Sequence, residues 1–296
     1  MKILLLGKNG QVGWELQRTL ALYGEVLALG REEENGNCGD LEKHKRLMET
    51  IDRFQPKIIF NAAAYTAVDN AEEDRERAMM VNSSAVSLIA KKCQELGCLL
   101  VHYSTDYVFD GLGDSAYLES DKVSPINYYG LTKLNGEREI INSGCNYLIF
   151  RTSWVYGIHG KNFMKAILSL ARDRVELSVV NDQWGAPTSA EFIADVSTYV
   201  ALKAIKDYKL SGVYHLVPDG VTNWCGFAKW IIENVPNKEY LKLNSNSINE
   251  ITSDSYPTLA KRPKNSRLCN FKLKKILEPN SIKNWKFYAN RVLSLL

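Results

Sequence analysis

Clustered metal ligands are missing from this chain. Its six cysteines, Cys38, Cys93, Cys98, Cys145, Cys225 and Cys269, form no Cys-x-x-Cys pair, and its four histidines are scattered. A zinc site needs such clusters, so none is expected, and the thiols read as reduced, mostly packed side chains of a cytoplasmic protein. Long apolar runs are missing too. The "ILLL" after Lys2 is too short for a signal sequence and runs straight into a glycine loop, and no stretch approaches membrane-spanning length. Charge of one sign is scarce: 37 basic against 34 acidic residues leave +3, too little to argue for nucleic acid or a membrane surface. The local exception, "KRPKNSR" at 261–267, suits a small anionic ligand. Repeats and low-complexity tracts do not occur. The 296 residues are enough for one large α/β domain or two interlocked lobes.

What is present begins at the amino terminus, "MKILLLGKNGQVGWELQRTL". Ile3 to Leu6 form an unbroken apolar run, suited to a parallel strand buried on both faces. Gly7, Gly10 and Gly13 follow, then Val12, Leu16 and Leu20 on one helical stripe. Strand, glycine loop and helix aim free backbone N–H groups at a pyrophosphate. Gly10 lets the backbone approach the phosphates, and Gly13 lets the helix pack on the strand. The second strand, "EVLALG", ends in Gly30 and Arg31, where a carboxylate would have favoured NAD. A cation there suits a 2′-phosphate, so NADPH is favoured. Glu32 to Glu34 weaken that anion site and leave NADH use open, and Arg31 is otherwise a plain loop residue. Asp40 either receives the adenine amino group or caps the following helix.

The strand "KIIF" ends in Asn61 and three alanines, small enough for a ligand to lie across it. "VNSSAVSLIAKKCQELG" reads as an amphipathic helix closed by Gly97. "CLLVHYSTDYVFDG" is the next strand and its exit, with Ser104, Thr105 and Asp106 just past the strand end. The segment "INYYGLTKLNGE" then puts Tyr129 and Lys133 four residues apart on one helical face, which Tyr128 does not share. An ammonium so placed would lower the Tyr129 pKa from ~10 towards neutrality and make it a usable proton donor. Later, "SGVYHLV" reads as the sixth or seventh strand of the main sheet. Residues from Asn223 onward read as a smaller lobe of mixed helix and loop. The predicted class is α/β, a doubly wound parallel sheet (Rossmann-type) with a smaller mixed α/β C-terminal substrate lobe. Residues 1–155, completed by parts of 185–220, form the dinucleotide-binding part, and 156–296 mainly the substrate lobe. Trp154 and Trp184 are candidates for a sugar or base pocket, with a core role equally open for Trp184.

Seven segments in order, "GKNGQVG", "NAAAYTAVD", "HYSTDYVFDG", "YYGLTKLNGE", "LIFRTSWVYG", "NDQWGAPT" and "RPKNSRL", resemble the extended short-chain dehydrogenase/reductases over almost the whole chain. The resemblance implies an NAD(P)H-dependent oxidoreductase acting on a nucleotide sugar. It implies dTDP-4-dehydro-L-rhamnose reduced at carbon 4 to dTDP-L-rhamnose, for a rhamnose-containing polysaccharide such as an O-antigen. By the same resemblance Tyr129 donates the proton, and Lys133 binds the nicotinamide ribose and tunes the tyrosine. Thr105 bonds the sugar carbonyl, and Asp106 and Trp154 contact the sugar. Gly7, Gly10, Gln11, Val12, Gly13, Asp40, Leu41, Ala63, Ala64, Tyr65, Thr66 and Tyr103 line the cofactor, joined by Arg31 from the residue reading. Arg262, Asn265 and Arg267 approach the nucleotide end.

Some members hold Mg²⁺ at a dimer interface through three glutamates. Glu15 and Glu191 match two of these, but "NRVLSLL" offers no third acid. A dedicated Mg²⁺ site and metal-linked dimerisation are therefore not expected. Glu15 is expected to be solvated on an exposed helix face, and a homodimer is left open. A dehydratase or epimerase of this fold is the rival enzyme, yet Thr105-Asp106 is followed by Tyr107 and not by a second acid, which favours simple reduction. A non-catalytic, cofactor-binding regulatory subunit is the rival of another class. Thr105, Tyr129 and Lys133 together favour an enzyme.

Overall fold

The computed structural model describes all of residues 1–296. The first half runs β1 (Lys2–Leu6), α1 (Gln11–Leu20), β2 (Glu25–Leu29), α2 (His44–Phe54), β3 (Ile58–Asn61), α3 (Arg75–Met79), α4 (Ala85–Leu96), β4 (Leu99–Thr105), α5 (Tyr128–Asn142) and β5 (Asn146–Thr152). The second half continues with β6 (Val155–Tyr156), α6 (Phe163–Asp173), β7 (Leu177–Val180), β8 (Trp184–Gly185), β9 (Thr188–Ser189), α7 (Ala190–Ala204) and β10 (Gly212–His215). The chain ends with β11 (Thr222–Asn223), α8 (Trp224–Asn234), β12 (Ile248–Ile251), α9 (Phe271–Lys274) and α10 (Trp285–Leu293).

Six strands form one sheet in the order β10-β5-β4-β3-β1-β2, every pair parallel. The apolar runs explain why it is buried on both sides. Side chains alternate across a strand, so Ile3 and Leu5 enter the core under α1 and α7, while Leu4 and Leu6 enter the core under α2 and α4. "SGVYHLV" supplies the sixth strand, β10, beside β5. The chain leaves β1 for β2 on one side and returns to β3 on the other. Loops therefore diverge at the carboxyl ends of β1 and β3, where open parallel sheets bind ligands. A third core joins α6, α8, α10, β7 and β12 through Met164, Ile167, Phe227, Ile231 and Trp285.

One helix differs from its sequence reading. The stretch at "VNSSAV" is interrupted by a π turn, Met80–Ser84, between α3 and α4. The wider turn points the Asn82 side chain back at the loop after β3. No helix is long and apolar enough to cross a membrane.

Candidate active site

The glycine loop closes on itself because two positions tolerate no side chain. Gly7 has φ of +89°, and a Cβ there would strike Ala62 and Ala63; a Cβ on Gly13 would overlap the Gly7 carbonyl. Gly10 is the N-cap of α1 and offers no side chain, so the first amides of the helix, Gln11 to Gly13, point out without a capping partner. Val12 packs against the core below. Gln11 is committed elsewhere: its amide donates to the Val155 carbonyl at 3.3 Å and accepts from Asn162 at 3.0 Å. Asp40 does not cap α2, which starts at His44; its Oδ1 accepts from the Glu42 N–H at 3.0 Å in a local turn. Leu41 is buried in the core. Arg31 is exposed. Of the acids expected to compete with it, Glu33 is held by Lys43 and Arg46, and Glu34 by Lys8 at 2.6 Å.

Asn127 begins α5: its Oδ1 accepts from the Gly130 N–H at 2.8 Å, and its amide donates to the Lys261 carbonyl at 2.8 Å. That cap fixes the register. Tyr128 turns outward, its N–H on Glu72 and its ring under Arg75. Tyr129 turns inward and meets the Tyr107 ring edge-on at 5.8 Å. One turn on, Lys133 is 1% exposed and donates to the Tyr103 carbonyl at 2.7 Å, beside His102 Nε2 at 3.2 Å. Thr105 accepts from the Tyr107 N–H and donates to Asp106 Oδ1 at 3.0 Å.

The expected lowering of the Tyr129 pKa is corrected by these surroundings. Burial raises it, the Asp106 carboxylate adds to the rise, and only the Thr105 hydroxyl opposes it. Lys133 is not among the causes, because burial works on the amine too and lowers its own pKa to about 8, against the pull of Glu137. Burial likewise pushes Asp106 up to about 6, against hydrogen bonds from Ser266 and Thr105.

A cleft of about 1870 Å³ opens beside these residues, lined among others by Tyr107, Asp69, Phe163, Trp224 and Arg262. Trp154 has φ of +50° and stacks on Trp224 at 3.8 Å. Trp184 is 39% exposed under the Arg267 guanidinium, so it is no core residue. Arg262 pairs with Asp69 at 2.6 Å. In place of the nucleotide contact expected of it, Asn265 is buried with both ends of its amide spent. It donates to the Leu112 and Ser115 carbonyls and accepts from Arg267.

Several further assignments change. Ser104 lies inside β4 and donates to Glu137, not to a ligand. The Tyr103 side chain points to the opposite core, bonding Ser197 on α7 at 2.7 Å; only its carbonyl faces Lys133. Glu15 is not solvated: its side chain is 13% exposed, and burial raises its pKa. Arg18 approaches both Glu15 and Glu191, and Arg291 holds Glu191 at 2.7 Å. Guanidinium groups thus sit beside both acids, where a cation would have to bind. These residues do not fit a dedicated Mg²⁺ centre.

Sequence reasoning missed the polar residues that brace the site. Asn82 grips Tyr65 through both backbone groups, at 2.9 and 3.0 Å, and also reaches Thr132, so it ties the Ala63–Thr66 loop to α5. Glu137 and Arg151 form a buried two-pronged ion pair. The available signal was polarity in apolar company: His102 in "LLVHY" and Arg151 in "LIFRT".

The profile of the RmlD substrate binding domain family matches residues 1–295. A dTDP-4-dehydrorhamnose reductase of Escherichia coli (strain K12) is 47% identical, over 90% of this chain and 89% of the relative. One from Salmonella typhimurium (strain LT2) is 44% identical, over 99% of this chain and 97% of the relative. The crystal structure of dTDP-4-dehydrorhamnose reductase from Bacillus anthracis in complex with NADP superposes with a TM-score of 0.87 at 31% identity, covering 100% of this chain and 99% of that one.

Proposed function

We propose that this chain, which belongs to the dTDP-4-dehydrorhamnose reductase family, reduces the carbon-4 ketone of dTDP-4-dehydro-L-rhamnose to dTDP-L-rhamnose with NADPH. The carrying observation is the grouping of Thr105, Tyr129 and buried Lys133 at the carboxyl end of β4, together with the tight glycine loop that Gly7 and Gly13 permit.

The residues fit a dinucleotide. The bare helix start, the glycine cradle and the Ala62–Ala64 strand exit leave room and N–H donors for a pyrophosphate. Arg31, free of carboxylate partners, suits the 2′-phosphate, and the NADP bound by the Bacillus anthracis relative supports that preference. When bound, the nicotinamide supplies the hydride.

The protein's part is to receive charge on oxygen. As the sugar carbonyl gains negative charge, Tyr129 donates its proton to that oxygen and Thr105 bonds it. The raised Tyr129 pKa suits this direction, since burial keeps the phenol protonated until a stronger base, the nascent alkoxide, takes the proton. Lys133, buried against β4, holds the ribose. Trp154 and Asp106 bound the sugar, while Arg262 and Arg267 offer forked donors to the diphosphate. Asn265 acts indirectly, holding the loop that carries both arginines. On this reading 1–155 with parts of 185–220 serve the cofactor, 156–296 mainly the substrate, and the enzyme works in the cytoplasm.

The test is Tyr129→Phe, assayed by NADPH oxidation with the dehydro-sugar nucleotide. Turnover should fall by about 10²–10⁴, with NADPH affinity nearly unchanged by fluorescence titration. Turnover that survives the substitution would refute the assignment.

A further inference from the structure

A buried polar row crosses the sheet from the loop after β3 to the lysine. The Ala63 N–H donates to Asn61 Oδ1 at 3.3 Å, and the Asn61 amide nitrogen meets His102 Nδ1 at 3.2 Å. His102 Nε2 then meets Lys133 Nζ at 3.2 Å, and Lys133 donates to the Tyr103 carbonyl at 2.7 Å. Asn61, His102 and Lys133 are each at most 1% exposed, so bulk water repairs no mismatch among them.

The donors settle the tautomer. A backbone N–H only donates, so Asn61 must turn its oxygen to Ala63 and its NH₂ to His102. His102 Nδ1 is therefore an acceptor. Burial, with Lys133 alongside, holds the ring neutral, and a neutral imidazole carries one N–H; that proton sits on Nε2, facing Lys133. An ammonium has no lone pair to receive it. Turning the ring's proton to Nδ1, or flipping the Asn61 amide, only moves the donor–donor conflict to the next link.

We propose that His102, locked by Asn61 as its Nε2–H tautomer, is a positioning residue that donates to Lys133 and disfavours its ammonium, making the lysine a titrating amine and not a fixed cation. The groups around Lys133 are few. Its own helix brings Tyr129 and Glu137, β4 brings His102 and the Tyr103 carbonyl, β3 brings Asn61, and β5 brings Arg151, which neutralises Glu137. Glu137 and the Tyr103 carbonyl favour the ammonium, and the charge of Glu137 is already spent on Arg151. The tautomer stands without the reductase reading; its effect on turnover rests on that reading.

Nitrogen NMR of ¹⁵N-histidine-labelled full-length protein, with His102 assigned by its loss in His102→Gln, should show a protonated Nε2 and a bare Nδ1. Two variants should favour the ammonium: His102→Gln, whose oxygen can accept from it, and Asn61→Asp, which draws the ring proton to Nδ1. Each should move the basic limb of the kcat–pH profile, where Lys133 loses its proton, upward by about one pH unit, with NADPH still bound. An Nδ1–H ring, or a limb unmoved in both variants, overturns the proposal. A protein showing the Nε2–H ring yet inactive on the sugar nucleotide would keep the tautomer and sink the reductase reading.

Discussion

Replacing Arg151 with methionine should unfold this protein far more readily than the loss of one surface charge would. Arg151 and Glu137 are 4% and 1% exposed, joined through Nε–Oε1 at 3.0 Å and Nη2–Oε2 at 2.7 Å, with the Ser104 hydroxyl on the same carboxylate. The guanidinium also lies 5.1 Å above the Phe109 ring. Methionine keeps most of the stem, so the cavity is small and the loss is electrostatic. Stranding one member of a buried pair costs about 3–5 kcal/mol. At roughly 2–4 °C per kcal/mol for a chain of this class, the melting temperature should drop by about 6–20 °C. The decisive companion is the double variant Arg151→Met with Glu137→Met. An apolar pair of similar volume should bring stability back to within about 1–2 kcal/mol of the parent, less the single hydrogen bond lost by Ser104. Thermal and urea unfolding followed by circular dichroism reads both. A single variant within about 1 kcal/mol of the parent, or a double variant no better than the single, would refute the reasoning.

Asp106 gives a pH-dependent test. Its folded pKa, about 6, lies above the ordinary carboxylate value, so the folded chain binds that proton more tightly than the unfolded one. The resulting stability is full below about pH 4 and is lost as pH rises through about 6. Asp106→Asn cannot ionise, and should be more stable than the parent at pH 7.5 by about 1–3 kcal/mol but nearly equal at pH 4; an equal gap at both would contradict this. Asn82→Ala removes two hydrogen bonds to Tyr65 and one to Thr132 on α5. It should raise the KM for NADPH about tenfold while Tyr129 and Lys133 remain in place, and an unchanged KM would show that the clamp is idle. Arg31→Ala should weaken NADPH about tenfold and leave NADH unaffected; equal losses for both would remove the 2′-phosphate role. These two are measured by initial-rate kinetics with each cofactor.

The short-range features were legible in the order of residues alone. The apolar run of β1, the glycines that follow it, and the shared face of Tyr129 and Lys133 depend on periods of two to four residues, which the backbone imposes wherever the chain lies. Their order along the chain also foretold a doubly wound parallel sheet. Proton affinities and ligand assignments were not legible, because they depend on neighbours far along the chain. Tyr129 keeps its proton because of burial and Asp106, Glu15 is shielded by Arg18 beside α7, and Asn265 spends its amide on residues 112 and 115. His102, Asn82 and Arg151 looked like stray polar residues in apolar segments until partners 14 to 50 residues away came to meet them. A side chain's period is written locally, whereas its solvent and its hydrogen-bond partners exist only once the sheet has closed.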